Sequence, residues 1–472
     1  MSVFSDKALE ARAQATAEPL RHMQEKGVRF SQFEMPDING YMRAKLMPLT
    51  KSLSAAGSGC STLIMSGRSG DMISFTPWSN FENGFPKMVA VGDLDTLIDW
   101  PWSDGMSAIL SDIYMEDGTP CPLAPRHILR RAIEACREQN LEPKATLEYE
   151  VYLFHADDEL LDAGAYDKLR PFGRGPDFYS VTRFPHFEEL AKKFLDRMVA
   201  VGIDVDVFHT EYGAGMFEFA LGVEDALTAA DNAVRAKLYF KQLCAEFGLV
   251  ATFMPALKLP AAASCSGAHI NVSLWRDGQN AFWDSEKKSM SALAENFAAG
   301  ILRYLPDLHA LYRPWINSYR RFDHTEWNPI NTTWGMDNHT VALRGVTGAV
   351  PAKACRFEHR VAGPDINPYL GLAGCLFSGI RGIKDQMRPP APCKGNAGES
   401  DAVQLPSSLR ASASSLREST FAREVFGDLF VEHFAQLKDD EVDEFKEATA
   451  GLPDPDPAKV TAWEFERYFE WS

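Results

Sequence analysis

Acidic side chains occur at short, regular spacings near the middle of the chain. In the segment ATLEYEVYLF, residues 145–154, apolar and polar side chains alternate, which predicts a half-buried β-strand with Glu148 and Glu150 on the same face. Two carboxylates roughly 7 Å apart on one strand face repel each other, and a bound cation would relieve that repulsion. For this pair alone, a solvated strand face and a cation-binding face both remain open.

Two further segments place polar side chains on predicted strand faces. HTEYGAGMFEFALG contains Glu211 and Glu218 on either side of a glycine-rich turn. In SCSGAHINVSLW, the side chains of His269, Asn271 and Ser273 share one face. Taken singly, the first segment is an ordinary hairpin with two acids, and the histidine of the second is a hydrogen-bonding residue.

A fourth segment, CRFEHRVAG, places Arg356, Glu358 and Arg360 on one face, which alone is also consistent with a structural row of ion pairs. Together, five glutamates and one histidine form the oxygen-rich ligand set that Mg²⁺ or Mn²⁺ prefers. Arginines beside such ions would neutralise phosphate oxygens through paired hydrogen bonds. Two divalent ions and arginines are the components of a phosphoryl-transfer site. The candidate metal ligands are Glu148, Glu150, Glu211, Glu218, His269 and Glu358.

The elements that position these side chains are predicted to form two domains. Of the 472 residues, 24% are charged and 45% are hydrophobic, which is typical of a globular chain with a full-sized core. A turn-rich segment at 116–126 leads into an amphipathic helix that begins near Pro125, and a Pro- and Gly-rich segment at 387–401 precedes the C-terminal helices. We therefore predict a small N-terminal domain over 1–115 and a large α+β domain over 116–472.

Charge and composition exclude several classes of partner. There are 48 Lys and Arg against 65 Asp and Glu, a formal net charge of −17, so nucleic acid and anionic membranes are poor partners. No stretch approaches the roughly 20 apolar residues that span a bilayer, and the N-terminus lacks the pattern of a signal peptide. Eight scattered cysteines without a CxxC pair indicate reduced thiols. These features predict a cytoplasmic protein.

The motifs and their order resemble the glutamine synthetase superfamily from about residue 30 to the C-terminus. Each motif alone is weak, but chance does not account for so many in the same order. Besides the glutamate pairs they are TFM at 252–254, SGxHxxxSL at 266–274, NSYRR at 317–321, WGMDN at 334–338, Arg344, RxExR at 356–360, NPYLGLA at 367–373, LPSSL at 405–409 and WEFERYF at 463–469. The resemblance implies an α+β fold with a small N-terminal β-grasp domain and a large catalytic domain, in which helices flank a curved antiparallel sheet.

The resemblance also implies a role for each candidate residue. A metal that activates glutamate would be held by Glu150, Glu211 and Glu218. A metal that bridges the ATP phosphates would be held by Glu148, His269 and Glu358. The remaining residues would bind the substrates: Arg344 and Arg356 at the ATP phosphates, Asn271 and Ser273 near the nucleotide, and Arg321 and Arg360 at the glutamate carboxylate and the acyl phosphate.

Members of this superfamily transfer the γ-phosphoryl group of ATP to the γ-carboxylate of L-glutamate, and an amine then displaces phosphate. The resemblance therefore implies ATP as co-substrate and Mg²⁺ or Mn²⁺ as cofactor. It also implies a homo-oligomer of paired hexameric rings, a dodecamer, in which the N-terminal domain of one subunit completes the active site of its neighbour.

The region expected to bind ammonium departs from the pattern of ammonia-using members. Trp327 occupies the aligned position of the acid that binds and deprotonates ammonium, although a one-residue shift would bring Glu326 there. The segment MSGRSGDM offers Asp71 as a candidate for the second acid, and Ser264 and Cys265 replace an Asn-Gly pair that usually holds the amino end of glutamate. An indole supplies an apolar surface without charge, which favours an organic amine; packing within the loop is the alternative role of Trp327.

Three hypotheses follow. The first is an ATP-dependent ligase that joins glutamate to an organic amine, giving a γ-glutamyl amide and opening a route of amine catabolism. The amine would be an aromatic amine such as aniline, an alkylamine or a polyamine. The second is a glutamine synthetase that uses ammonia. The third is a catalytically inactive structural homologue, against which the complete set of metal ligands argues.

Overall fold

The first of two large β-sheets lies in the N-terminal quarter of the chain. The computed structural model describes residues 2–175, 177–259, 262–321, 327–451 and 459–472. The strands of this sheet are β1 (Phe30–Pro36), β2 (Met42–Pro48), β3 (Ser58–Ser61), β4 (Lys87–Gly92), β5 (Ile98–Asp99) and β6 (Met106–Met115). They are ordered β2-β1-β6-β4-β3, with β5 also paired to β6. The central β1–β6 pair is parallel, and the other pairs are antiparallel.

The second sheet has ten strands and carries the candidate metal ligands. The remaining strands of the chain are β7 (Glu142–His155), β8 (Val205–Thr210), β9 (Met216–Leu221), β10 (Glu224–Asp225), β11 (Leu249–Thr252), β12 (Ala268–Arg276), β13 (Gln279–Asn280), β14 (Trp283–Asp284), β15 (Ser289–Met290), β16 (Trp334–Met336), β17 (Leu343–Val346) and β18 (Arg356–His359). The main order is β16-β17-β18-β12-β7-β9-β8, while β14 and β15 form a separate pair. Apart from the parallel β16–β17 pair, its described strand pairs are antiparallel.

Helices cover both sheets. Their bounds are α1 (Asp6–Glu25), α2 (Leu49–Ser52), α3 (Pro125–Arg137), α4 (Asp158–Asp162), α5 (Glu188–Ala200), α6 (Ala226–Glu246), α7 (Ala292–Tyr304), α8 (His309–Tyr312), α9 (Pro351–Ala354), α10 (Pro368–Lys384), α11 (Leu409–Glu418), α12 (Thr420–Phe426), α13 (Asp428–Thr449) and α14 (Ala462–Tyr468). Within the described ranges, none of them is long and apolar enough to cross a membrane.

Helix α10 is the most buried of the long helices and packs against α7, α3 and α6. It begins where the side chain of Asn367 accepts hydrogen bonds from the N–H groups of Tyr369 and Leu370, with Pro368 in the first turn. The same asparagine donates to the carbonyl oxygen of Ile38 at 3.0 Å. The NPYLGLA motif therefore starts a helix and ties it to the N-terminal region.

The predicted α+β fold class is confirmed, with helices flanking a curved, mainly antiparallel sheet. The predicted helix after the turn-rich segment is α3, and it begins at Pro125 as expected. The first sheet ends at Met115. The division into domains over 1–115 and 116–472 stays a prediction.

A buried arginine of α3 connects the first sheet to α6, and its loss should destabilise the protein. Arg126 of α3 lies 2.8 Å from Asp93, 2.7 Å from Asp112 and 2.8 Å from Asp231. We expect Arg126→Ala to lower the free energy of unfolding by about 3 kcal/mol, because the buried carboxylate of Asp231 loses its ion-pair partner, while Asp93 and Asp112 retain Arg130. Urea denaturation followed by circular dichroism measures this loss.

The matched control for Arg126 is Arg137→Ala on the same helix. Its guanidinium is about half exposed and pairs with Glu142 at 3.3 Å, so its removal should change the unfolding free energy by less than about 1 kcal/mol. Equal effects of the two substitutions would show that the buried network contributes no more than a surface ion pair.

Candidate active site

Neighbouring strands bring the candidate metal ligands together on one face of the second sheet. His269 of β12 lies directly opposite Glu148 of β7, and Glu150 of β7 lies opposite Glu218 of β9. Tyr149, between the two glutamates, is fully buried on the other face. Because the side-chain period of a strand is two, burying Tyr149 fixes the glutamates on the opposite face.

The first cluster consists of Glu148, His269 and Glu358, with one ligand atom from each residue within 4.8 Å of the others. The Nδ1 atom of His269 is 3.1 Å from Oε2 of Glu148 and 3.4 Å from Oε1 of Glu358. Arg344 donates to Oε2 of Glu358 at 2.8 Å. Burial opposes ionisation of Glu358, but His269, Arg360 and Arg344 lower its pKa to about 2. Glu358 is therefore a carboxylate at neutral pH.

The second cluster consists of His209, Glu211 and Glu218, again with one ligand atom each within 4.8 Å. Nδ1 of His209 is 3.6 Å from Oε1 of Glu211, and Nε2 is 3.8 Å from Oε2 of Glu218. Burial, followed by the charges of Glu150, Glu148 and Glu211, raises the pKa of Glu218 to about 10. Half-buried carboxyl groups that repel one another in this way fit a site for a divalent cation.

His209 is a candidate ligand that sequence reasoning missed. It precedes Glu211 by two positions at the end of β8, so the alternation of a strand could have revealed it. Glu150, the predicted third ligand, lies beside the cluster, and its Oε2 accepts a hydrogen bond from the N–H of Gly267 at 2.6 Å. The metal site of Glu150, Glu211 and Glu218 stays a prediction, with His209 as a further candidate.

A first cavity, of about 520 Å³, opens beside both clusters, and Glu150, Glu211, His269, Arg321 and Arg360 line it. Hydrogen bonds to neighbouring loops hold its two arginines in place. Arg321 is buried and donates to the carbonyl oxygen of Ala362 and to Oδ1 of Asn328, both at 2.8 Å. Nε of Arg360 donates to the carbonyl oxygen of His339 at 3.1 Å. The guanidinium groups therefore present fixed positive charge to a ligand in this cavity.

Aromatic side chains also line the first cavity. They are Phe178, Tyr212 and Trp327, with 51%, 66% and 67% of their surfaces exposed. Trp327 has φ of 60°, an uncommon conformation for a bulky residue. Cys265 and Ser264 lie in the same lining. The cavity thus combines a charged region with an apolar, accessible region.

Neither of the two acids considered for an ammonium site is among the described residues that line this cavity. Glu326 lies outside the described residues, so its position relative to Trp327 stays open. Asp71 lies in the N-terminal region, where it pairs with Arg43 at 2.5 Å, and it is not among the described residues that line the first cavity.

A second cavity, of about 230 Å³, brings together Asn271, Ser273 and Arg356. Nε of Arg356 donates to Oδ1 of Asn271 at 2.8 Å, and Nδ2 of Asn271 donates to Oε1 of Glu148 at 2.8 Å. The indole N–H of Trp275 donates to Oγ of Ser273 at 2.9 Å. These bonds connect the second cavity directly to the first cluster.

Sequence reasoning missed four polar or aromatic residues of the second cavity: Lys144, Asp206, Trp275 and Lys353. Lys144 could have been found, because it continues the alternation of Thr146 and Glu148 on β7. Lys353 belongs to the four-residue helix α9, where no periodic pattern can develop.

Two clusters of carboxylates and histidine, fixed arginines and two adjoining cavities define an enzyme of the metal-dependent phosphoryl-transfer class. Residues 122–468 match the catalytic domain of glutamine synthetase. The chain belongs to the glutamine synthetase family and is an ATP-dependent acid–amine ligase. The family uses ATP and a divalent metal, and the donor sets of both clusters fit such a metal.

Several relatives are similar over most of their length. A glutamate–isopropylamine ligase from Pseudomonas sp is 34% identical over 405 residues, covering 85% of this chain and 84% of that protein. A γ-glutamylethanolamide synthetase from Streptomyces coelicolor is 32% identical over 440 residues, covering 92% and 91%. A solved structure described as "Apo GmaS without ligand" has a TM-score of 0.78 at 25% identity, covering 94% of this chain and 97% of that one.

Proposed function

We propose that this enzyme phosphorylates the γ-carboxylate of L-glutamate and joins it to an organic amine, giving a γ-glutamyl amide, ADP and phosphate. The observation that carries the proposal is the first cavity, where Arg321 and Arg360 share a lining with the aromatic residues Tyr212 and Trp327. The names of two relatives, which refer to isopropylamine and ethanolamide, support an organic acceptor.

In this proposal, positive side chains neutralise the phosphate charge of ATP. Arg344 lies 2.8 Å from Glu358 of the first cluster, and Arg356 lines the second cavity. We assign the phosphates of ATP to these two arginines and the nucleoside to the region of Ser273. When bound, Mg²⁺ or Mn²⁺ supplies additional charge neutralisation for the transferred phosphoryl group.

Glutamate and the acyl phosphate occupy the first cavity in this proposal. Arg321 and Arg360 bind carboxylate and phosphate oxygens there, since each presents a guanidinium held by backbone carbonyls. The amine nitrogen attacks the acyl carbon, the bond from that carbon to the phosphate oxygen breaks, and the nitrogen loses a proton.

The lining of the first cavity favours an organic amine over ammonium. Ammonia, like an alkylamine, is almost fully protonated at neutral pH and needs a nearby base to take its proton before it attacks. Among the described lining residues, the acids are Glu150 and Glu211, which are both candidate metal ligands. An arylamine is already neutral at pH 7, and alkyl or aryl groups bury apolar surface against Tyr212 and Trp327.

A panel of amines tests the proposal. Phosphate release from ATP is measured with L-glutamate and ammonia, isopropylamine, ethanolamine, aniline or putrescine. We expect kcat/KM for the best organic amine to exceed that for ammonia by about tenfold or more, because only an organic amine contacts the aromatic lining. Reactions without glutamate are the control for uncoupled hydrolysis.

Two outcomes of the panel would contradict the proposal. A preference for ammonia of tenfold or more would identify a glutamine synthetase, with Glu326 as the acid that Trp327 lacks. Absence of turnover with every amine, at saturating ATP, glutamate and metal, would identify an inactive homologue.

We also propose a homo-oligomer of paired hexameric rings with shared active sites. Phe81 is 76% exposed, and its ring centroid lies 5.0 Å from those of Phe75 and Phe85, which forms an apolar surface that a neighbouring subunit would cover. Light scattering should give about twelve times the chain mass of 52.5 kDa. A monomer with full specific activity would contradict this assembly.

The cytoplasmic location stays a prediction.

A further inference from the structure

We propose that a third cavity, packed against the hairpin of the second cluster, binds a small organic dianion. Its volume is about 230 Å³, and the segment from Arg170 to Phe187 supplies most of its lining. The hairpin contributes Thr210, Gly215 and Phe217, and none of the candidate metal ligands lines it. This site goes beyond the proposed ligase function and does not depend on it.

The rim of the third cavity carries an excess of positive charge. Arg170, Arg174 and Arg183 line it, and Asp177 is the acid among its described lining residues. Asp177 accepts a hydrogen bond from Nε of Arg183 at 3.1 Å. Within the described part of the chain, no carboxylate lies within 4.0 Å of Arg170 or Arg174. Two guanidinium groups that have no carboxylate partner among the described residues attract a ligand with two negative charges.

Apolar side chains also line the third cavity, which favours an organic anion over an inorganic one. Pro171, Phe172, Phe187 and Phe217 line the cavity, and the ring of His155 packs edge-on against Phe172 with centroids 5.5 Å apart. A hydrated inorganic ion gains nothing from this surface. An alkyl or aryl group attached to a phosphate or to two carboxylates would cover this apolar surface and remove it from water.

Backbone hydrogen bonds connect the wall of the third cavity to the second cluster. The N–H of Leu153 donates to the carbonyl oxygen of Gly215, and the N–H of Phe172 donates to the carbonyl oxygen of Leu153, both at 2.8 Å. Across the same turn, the N–H of Glu211 donates to the carbonyl oxygen of Met216 at 2.8 Å. A ligand that orders residues 170–174 therefore also restrains the hairpin that carries Glu211.

Calorimetric titration tests the site, with saturating ADP, L-glutamate and Mg²⁺ present to fill the substrate sites. The probes are phenyl phosphate, phthalate and inorganic phosphate. Phenyl phosphate and phthalate compare a phosphate with two carboxylates, and phenyl phosphate and inorganic phosphate show the contribution of the apolar ring. We expect one site per chain, and an affinity for at least one aryl dianion that exceeds that for inorganic phosphate by about tenfold or more. Binding should weaken as sodium chloride is raised, because Arg170 and Arg174 are exposed to solvent.

Paired variants locate the binding. The double variant Arg170→Ala with Arg174→Ala should lower the affinity for the aryl dianion by about tenfold or more. The control is Arg21→Ala on the exposed face of α1, which should leave that affinity unchanged. A second variant, Phe172→Ser, should reduce the preference for aryl dianions over inorganic phosphate. Circular dichroism spectra confirm that each variant is folded.

Hydrogen exchange measures the connection to the hairpin. Amides of residues 210–217 should exchange more slowly when the aryl dianion is bound. Absence of binding to the wild-type protein overturns the proposal, and so does binding that the double variant retains. Unchanged exchange of those amides in the complex overturns the connection to the second cluster.

Discussion

We expect Glu358→Ala to lower kcat by about 10³-fold or more, the largest single effect among the candidate ligands. The carboxylate lies 3.4 Å from His269 in the first cluster and accepts a hydrogen bond from Arg344 at 2.8 Å. Its removal deletes a candidate metal ligand and also removes the carboxylate that pairs with Arg360 and, at the shorter of two distances, with Arg344. Initial rates at saturating ATP, glutamate and amine, titrated with Mg²⁺ and Mn²⁺, measure the effect.

The matched control is Glu138→Ala, which removes an exposed glutamate that pairs with Lys384 at 3.5 Å. It should leave both kcat and metal dependence unchanged. EDTA should abolish turnover of the wild-type enzyme. Adding back Mg²⁺ or Mn²⁺ then shows which ion restores turnover. Full activity of Glu358→Ala, or of Glu211→Ala, would refute the two-metal assignment.

The same titration decides between the two candidates for the third ligand of the second cluster. If His209 contacts the metal, His209→Gln should raise the metal concentration for half-maximal activity by about 10- to 100-fold. If Glu150 is the ligand, as the resemblance implies, Glu150→Gln should show that effect and His209→Gln should not. Their positions, opposite Glu218 on both neighbouring strands, make either assignment sterically reasonable.

Local alternation was sufficient to predict which of the candidate metal ligands share one strand face. In β7 and β12 a period of two separates Glu148, Glu150 and His269 from the buried residues between them, and this pattern is visible in ten residues of sequence. The grouping of ligands into clusters depends on strand register instead. The β8–β9 pair contains a register shift between Val205 and Val207, which no local pattern encodes.

The lining of each cavity was harder to predict from the sequence, because segments that are distant along the chain form it. Lys144 and Lys353 meet in the second cavity from β7 and α9. The resemblance supplied Ser273, Asn271 and Arg356 for this region, but its motifs do not contain the lysines. The aromatic lining of the first cavity was predicted only at Trp327, since Tyr212 and Phe178 lie in turns without a periodic pattern.

Replacing Trp327 by glutamate should change the acceptor preference. We expect Trp327→Glu to shift the ratio of kcat/KM for ammonia to that for the best organic amine by about 10²-fold toward ammonia. The introduced carboxylate would lie in the lining of the first cavity, where it can bind ammonium and accept its proton. The same change removes an apolar surface that is 67% exposed and available to an organic amine. The two specificity constants, measured for wild type and variant, give the ratio.

Trp327→Phe separates acceptor recognition from packing of the loop. Phenylalanine keeps an aromatic surface without adding charge, so it should retain the preference for an organic amine. If Trp327 only packs the loop, both substitutions should lower activity with ammonia and with the organic amine equally, leaving the ratio unchanged. Glu326→Gln completes the comparison: a selective loss of ammonia activity in that variant would place the missing acid at Glu326. Trp327 determines acceptor choice only if Trp327→Glu changes the ratio of the two specificity constants and Trp327→Phe does not.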